Sequence, residues 1–139
     1  TMIKQISVLI ENTKGTMADV TRTLVGGGVS LKAFSVYDTA DFGILRMVVD
    51  NNEKAKKVLE EGGFGYTITD VLAVELDDKP GALDSLLEAL KDSYNINYIY
   101  SMVLNQNGKP LLILAPEPKD GVEDLLRDRG FKVYDMEQD

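Results

Sequence analysis

The chain has 139 residues, with 15 Lys and Arg against 23 Asp and Glu for a formal net charge of −8, and it contains no His, Cys or Trp. That inventory excludes Ser–His and Cys–His nucleophile pairs, Cys/His zinc sites, disulfide frameworks and a His pH switch, and any metal would need an all-oxygen site. An acidic chain also lacks the cationic surface that displaces counterions from a phosphate backbone, so nucleic acid is not an expected partner.

Thr1 ahead of Met2 reads as an extraneous leading residue. The N-terminal stretch TMIKQISVLIENTKG has no long apolar core followed by a small-residue cleavage site, and no apolar run reaches the roughly 18 residues of a spanning helix. Neither a secretory signal nor a membrane association is expected, and the default location is the cytoplasm. KQISVLI alternates apolar and polar residues, which predicts a strand with Ile6, Val8 and Ile10 on one face. Gly15 punctuates a loop. From Thr16, Met17, Val20, Leu24 and Val25 recur at helical spacing up to the breaker Gly26-Gly27-Gly28.

VSLKAFSVYD and FGILRMVVD predict two strands around a polar turn at Asp38 to Asp41, NEKAKKVLEE a helix stopped by Gly62-Gly63, and FGYTITD a fourth strand. The same order follows: VLAVEL as a strand, a helix from Pro80 or Gly81 to about Asp92, strands INYIYSMVL and PLLILA around Asn107-Gly108, a helix through GVEDLLRD, and the strand FKVYDM. No Gly/Ser/Pro linker separates the halves, since YTITDVLAVEL runs directly from one strand to the next.

This order is an internal repeat. IENTKGTMADVTRTL from Ile10 lies over LDDKPGALDSLLEAL from Leu76, with Gly15 on Gly81 and Leu24 on Leu90. Val29-Ser30-Leu31 lies over Ile96-Asn97-Tyr98, and Gly63-Phe64 over Gly130-Phe131, after a one-residue insertion near Tyr94. Each copy is βαββαβ, the ferredoxin-like arrangement, so the expected class is α+β with two antiparallel sheets, helices on one face of each, and units at residues 1–70 and 71–139. With 44% hydrophobic and 27% charged residues the composition is that of a soluble globular protein. Units this small are expected to pack together or against another chain.

The loops Asn12-Thr13-Lys14-Gly15-Thr16 and Asp78-Lys79-Pro80-Gly81-Ala82 precede helices, whose unpaired amides and positive dipole end suit a carboxylate. Asn12 or Asp78 would then accept hydrogen bonds from an ammonium group, making a zwitterion site. Equally, these residues are ordinary for turns and helix starts, and the glycines then serve only to turn the chain.

The combination of NTKGTM (12–17), DKPGAL (78–83), the βαββαβ order and the second-strand starts VSL and INY resembles the ACT domain, a small-molecule-sensing regulatory module of amino-acid metabolism. DTADFGILR (38–46) is similar in addition to small stand-alone proteins made of two ACT domains. The resemblance covers essentially the whole chain, although the first copy has Lys14-Gly15 where the second keeps the family's Pro80-Gly81.

The resemblance implies a regulatory amino-acid site between two ACT units, formed by the strand-to-helix loop of one and the second-strand start of the other. Carried over, the ligand-binding positions are Asn12, Lys14, Gly15, Thr16, Met17 and Ser30 in the first copy, and Asp78, Pro80, Gly81, Ala82, Leu83 and Asn97 in the second. Tyr37, Asp38, Thr39, Phe42 and Gly43 join them through the DTADFGILR likeness. No catalytic residue, metal ligand or cofactor is implied.

Asp38 and Asp41 read as residues of a solvated hairpin turn ahead of an acid/base pair. Arg46, inside ILRMVV, calls for a carboxylate partner. Tyr94, Tyr98 and Tyr100 fit packing against a partner sheet or subunit. The patterns EKAKKVLEE and EDLLRDRG are ordinary exposed helix faces. The expected function is a non-catalytic, amino-acid-binding regulatory protein, with a homodimer favoured by its sheet edges. The alternative is an interaction module that docks on an enzyme of amino-acid metabolism with a vestigial pocket.

Overall fold

A computed structural model of the chain describes residues 2–11, 13–77, 79–102, 109–136 and 138. In chain order the elements are β1 (Ile3–Glu11), α1 (Thr16–Gly26), β2 (Leu31–Asp38), β3 (Phe42–Val49), α2 (Asn52–Glu61), β4 (Tyr66–Glu75), α3 (Ala82–Leu90), β5 (Asn95–Ser101), β6 (Leu111–Glu117), α4 (Val122–Asp128) and β7 (Lys132–Tyr134). The turn expected at Asn107-Gly108 lies outside the described residues. Among the described residues no helix is long and apolar enough to cross a membrane.

The chain forms two compact units, one of residues 4–69 with Gln138, the other of Met2, Ile3 and residues 70–136. Met2 packs on the core of the second unit. Gln138 belongs to the first, where its amide accepts from Lys4 N–H at 2.8 Å and donates to the carbonyls of Lys4 and Val49 at 3.0 and 3.1 Å.

In the first unit the strand order is β2-β3-β1-β4, and in the second β5-β6-β4-β7. Both are the ferredoxin-like order. Alternation along β1 puts Ile6, Val8 and Ile10 opposite Met47, Leu45 and Gly43 of β3. Ile6, Val8 and Ile10 of β1 meet Val20 and Leu24 of α1 and Ala55 and Leu59 of α2 in one core. The second core repeats the plan with Leu72, Val74, Leu86, Leu90, Leu114, Val122 and Leu126.

The helical stripe predicted for α1 is narrower than its spacing implies. Val20 and Leu24 are fully buried, whereas Met17 is 40% exposed at the start of the helix and Val25 is 70% exposed at its end. Val25 lies about 100° around the helix from Leu24, beyond the reach of a two-helix layer.

The contact between α1 and α2 gives a test with opposite signs at neighbouring residues. A Cβ on Gly27 would stand 2.5 Å from Cγ1 of Val58, a side chain stiff at χ1, whereas one on Gly26 would meet nothing within 4 Å. Gly27→Ala is therefore expected to destabilise by about 1–3 kcal/mol through overpacking. Gly26→Ala, at the last helical residue, should stabilise by about 0.5–1 kcal/mol. Urea denaturation of the two variants checks both signs.

Candidate functional site

The two strand-to-helix loops are built alike. In the first, Thr13 N–H donates to Glu11 O at 2.9 Å, Thr16 N–H to Thr13 O at 3.4 Å and Asp19 N–H to Gly15 O at 2.9 Å. In the second, Lys79 N–H donates to Asp77 O at 2.9 Å, Ala82 N–H to Lys79 O at 3.3 Å and Ser85 N–H to Gly81 O at 2.9 Å. Every partner is shifted by 66 positions, the offset of the sequence repeat.

Thr13–Thr16 and Lys79–Ala82 are type II turns. Their third residues have φ 85°, ψ −11° (Gly15) and φ 86°, ψ −2° (Gly81). No described non-glycine residue has a positive φ, which rules out the alternative type I′ turn. A type II turn needs a left-handed third residue and accepts Pro or most other residues second. Lys14 therefore supports the same turn as Pro80, and the departure noted in the first copy leaves the loop geometry unchanged.

Each turn delivers its glycine to the N-cap of a helix, α1 or α3, with no side-chain hydrogen bond on the cap. The first helical amides, Thr16 and Ala82, are taken by the turns, but the two that follow in each helix have no intrahelical partner, so these ends keep donors and the positive end of the dipole. By contrast, Asn51 caps α2 by accepting from Lys54 N–H at 3.1 Å. The start of α4 is covered differently: Tyr94 Oη donates to Asp120 O at 2.6 Å and stands 3.0 Å from a Cβ placed on Gly121. Nothing lies within 4 Å of a Cβ at Gly15 or Gly81.

Among the predicted loop residues, Lys14, Gly15, Met17, Pro80, Gly81 and Leu83 are exposed, and Thr16 and Ala82 are half-buried. Thr16 Oγ1 pairs with Thr13 Oγ1 at 2.6 Å. Met17 and Leu83 occupy equivalent places in the two helices and leave similar apolar surface, 40% and 44% exposed. Asn12 and Asp78 lie outside the described residues.

The Tyr37–Gly43 hairpin sits at the same end of its sheet as the first turn, because Asp38 opposes Gly43, Gly43 opposes Ile10 and Phe42 opposes Glu11. Thr39 holds that hairpin together. Its N–H and Oγ1 donate to Phe42 O at 2.8 and 2.9 Å, and Oγ1 accepts from Phe42 N–H at 3.2 Å. Tyr37 lies under the guanidinium of Arg46, 5.8 Å from ring centroid to Cζ, an arrangement that attracts the cation to the ring face.

Ser30 and Asn97 are not brought to the loop of their own unit. Ser30 adjoins Leu31, which opposes Val49 at the far end of β2 from Asp38. Eight strand residues separate the two ends by roughly 24 Å. Ser30 N–H donates to Asp50 Oδ1 at 2.9 Å, and Asp50 N–H returns a bond to Ser30 O at 3.1 Å. Asn97 has a side-chain network of its own, donating from Nδ2 to Glu117 Oε2 at 3.0 Å and accepting from Asn95 Nδ2 at 2.8 Å. Tyr98 and Tyr100 stack, with centroids 6.4 Å apart, on the half-buried face of β5. Tyr94 precedes β5 and packs on the second core.

The family model for an ACT domain pair matches residues 1–131. Among solved structures, a protein of Bacteroides thetaiotaomicron is 31% identical, aligns over 96% of this chain and 92% of its own, and has a TM-score of 0.88. The ligand-free regulatory subunit of aspartate kinase from Thermus thermophilus is 19% identical over 89% of this chain and 87% of its own, with a TM-score of 0.64. Its counterpart from Thermus flavus gives 19%, 89%, 88% and 0.63. At these lower identities the likeness is one of fold. No curated protein matches. The chain belongs to the ACT domain pair family.

Proposed function

We propose that this protein is a non-catalytic regulatory protein that binds a free amino acid at the turns opening α1 and α3. The observation that carries the reading is the pair of identical type II turns, each ahead of an uncapped helix start and each flanked by an exposed apolar side chain, Met17 or Leu83. The ligand carboxylate meets the leading helix amides. Its ammonium meets Asn12, Asp78 or turn carbonyls, and its side chain lies along Met17 or Leu83. Lys14, Gly15, Thr16, Pro80, Gly81 and Ala82 shape the turns, and Tyr37, Asp38, Thr39, Phe42 and Gly43 flank the first. Ser30 and Asn97 join such a site only where another ACT unit presents its loop to them. Regulation follows if the ligand favours one arrangement of the protein over another. The fold shared with a regulatory subunit of aspartate kinase supports a regulatory role.

A second reading is favoured by the apolar residues exposed on the first unit: Leu9 at 60%, Phe34 at 49%, Tyr37 at 54% and Phe42 at 41%. Phe34 and Tyr37 belong to β2, an edge strand of its unit's sheet, so self-association as a homodimer or docking on an enzyme of amino-acid metabolism would cover them.

Thermal melts in the presence of each standard amino acid at millimolar concentration test the first reading. A ligand at about 100 times its Kd stabilises the folded chain by about 2.7 kcal/mol, and the melting temperature should rise for one amino acid or a chemically related few. No response to any of them would leave only the docking reading.

A further inference from the structure

We infer that the second unit carries a pocket for a small, multiply charged oxyanion, such as a phosphate ester or a polycarboxylate, and that the first unit has no counterpart. A cavity of about 370 Å³ lies between the turn before α3 and the turn between α4 and β7, and Lys79, Lys109, Arg129 and Lys132 all line it. Two carboxylates share the lining, Glu75 and Asp77. In a chain of net charge −8 this is a local surplus of positive charge.

The two carboxylates do not consume the cations. Asp77 stands 3.5 Å from Lys109 Nζ and 3.9 Å from Lys79 Nζ, and Glu75 stands 3.9 Å from Lys132 Nζ. These are long separations, and each ammonium has three donors. The guanidinium of Arg129 has no partner among the described residues.

Comparison of the two copies separates what the scaffold needs from what the pocket adds. The helix-to-strand turn is common to both: Gly63 and Gly130 have φ 78° and 87°, and Phe64 and Phe131 donate their amides to Leu59 and Leu126 at 2.9 Å. The cations are not common. Where the second copy has Lys79, Arg129 and Lys132, the first has Thr13, Gly62 and Gly65, and where the second has Ser85 lining the cavity the first has Asp19. The same fold therefore forms with no cation and one carboxylate at those four positions. Three cations and a hydroxyl in their place are surplus to folding, and their mutual repulsion is relieved by a bound anion.

The pocket shares the turn before α3 with the amino-acid reading, but it is built within one unit and takes a different ligand, so either stands without the other. Calorimetric titration of the full chain, free of amino acids, with pyrophosphate and with citrate at low ionic strength tests it. Saturable single-site binding of at least one probe is expected, weakened by about tenfold or more in Arg129→Gln/Lys132→Gln and in Lys79→Thr. Lys54→Gln/Lys57→Gln, which removes the same charge from α2, should change it by less than about twofold. Preference for pyrophosphate points to a phosphate ester and preference for citrate to a polycarboxylate. Absence of saturable binding by either probe, or equal weakening in the α2 variant, would overturn the proposal.

Discussion

Leu90→Ala is expected to destabilise the protein by about 2–5 kcal/mol, a large fraction of the 5–15 kcal/mol that holds an ordinary domain folded. Leu90 is fully buried in the last turn of α3, in one cluster with Leu72, Leu86, Val122 and Leu126. Truncation removes its transfer free energy and leaves a cavity that helices packed on a sheet cannot close. Leu87, in the same helix but 39% exposed, provides the comparison: Leu87→Ala should cost within about 0.5 kcal/mol. Urea denaturation of both variants checks the difference. Equal costs would mean that the second core is not packed as described.

Gly81→Val is expected to abolish amino-acid binding at the second loop while the fold survives, and Gly15→Val to do the same at the first. Nothing within 4 Å obstructs a Cβ at either position, so the penalty is conformational: the glycines hold φ of 86° and 85°, where a β-branched residue is strained. The cost is on the order of 1–2 kcal/mol, which a folded domain tolerates. The binding loss is larger because the strained turn redirects the leading amides of the helix. Gly63→Val separates strain from site, since Gly63 has φ +78° and equally open surroundings at the end of α2. It should lower stability by a similar amount and leave amino-acid affinity unchanged. Affinity unchanged in both loop variants would place the site elsewhere.

Much of the fold was legible because two periodicities and a repeat agreed. Alternation along KQISVLI assigned Ile6, Val8 and Ile10 to the core face, and all three are buried. The loops were legible as turns, since Pro80-Gly81 is a type II signature and the repeat carried the same geometry onto Lys14-Gly15. What depended on contacts distant in sequence was not legible. Tyr94 was expected to face a partner, but its hydroxyl reaches Asp120, 26 positions on, to cover the start of α4. Arg46 also lies over Tyr37, on the neighbouring strand of its own sheet, a contact that no local pattern marks and that does not bear on the carboxylate partner expected for it. Nor does periodicity mark how far a buried stripe extends, so Val25 counted as core although it faces out.

The geometry of the candidate site was legible in part, for the same reason. Local motifs located both turns and the exposed Met17 and Leu83, but not the distance from each turn to the second-strand start of its own unit, which depends on strand register. EDLLRDRG read as an ordinary exposed helix. Only the folded chain brings Arg129 to Lys79, Lys109 and Lys132. The repeat carried a signal of it in the sequence alone, since Lys79, Arg129 and Lys132 stand where the first copy has Thr13, Gly62 and Gly65.

The most direct test of the amino-acid reading is a nitrogen–proton NMR titration of the full chain with whichever amino acid raises its melting temperature. The amides of Gly15, Thr16 and Met17 and those of Gly81, Ala82 and Leu83 should show the largest saturable shifts. Saturable shifts that leave both turns untouched and gather at other residues would contradict the assignment of the ligand to these turns.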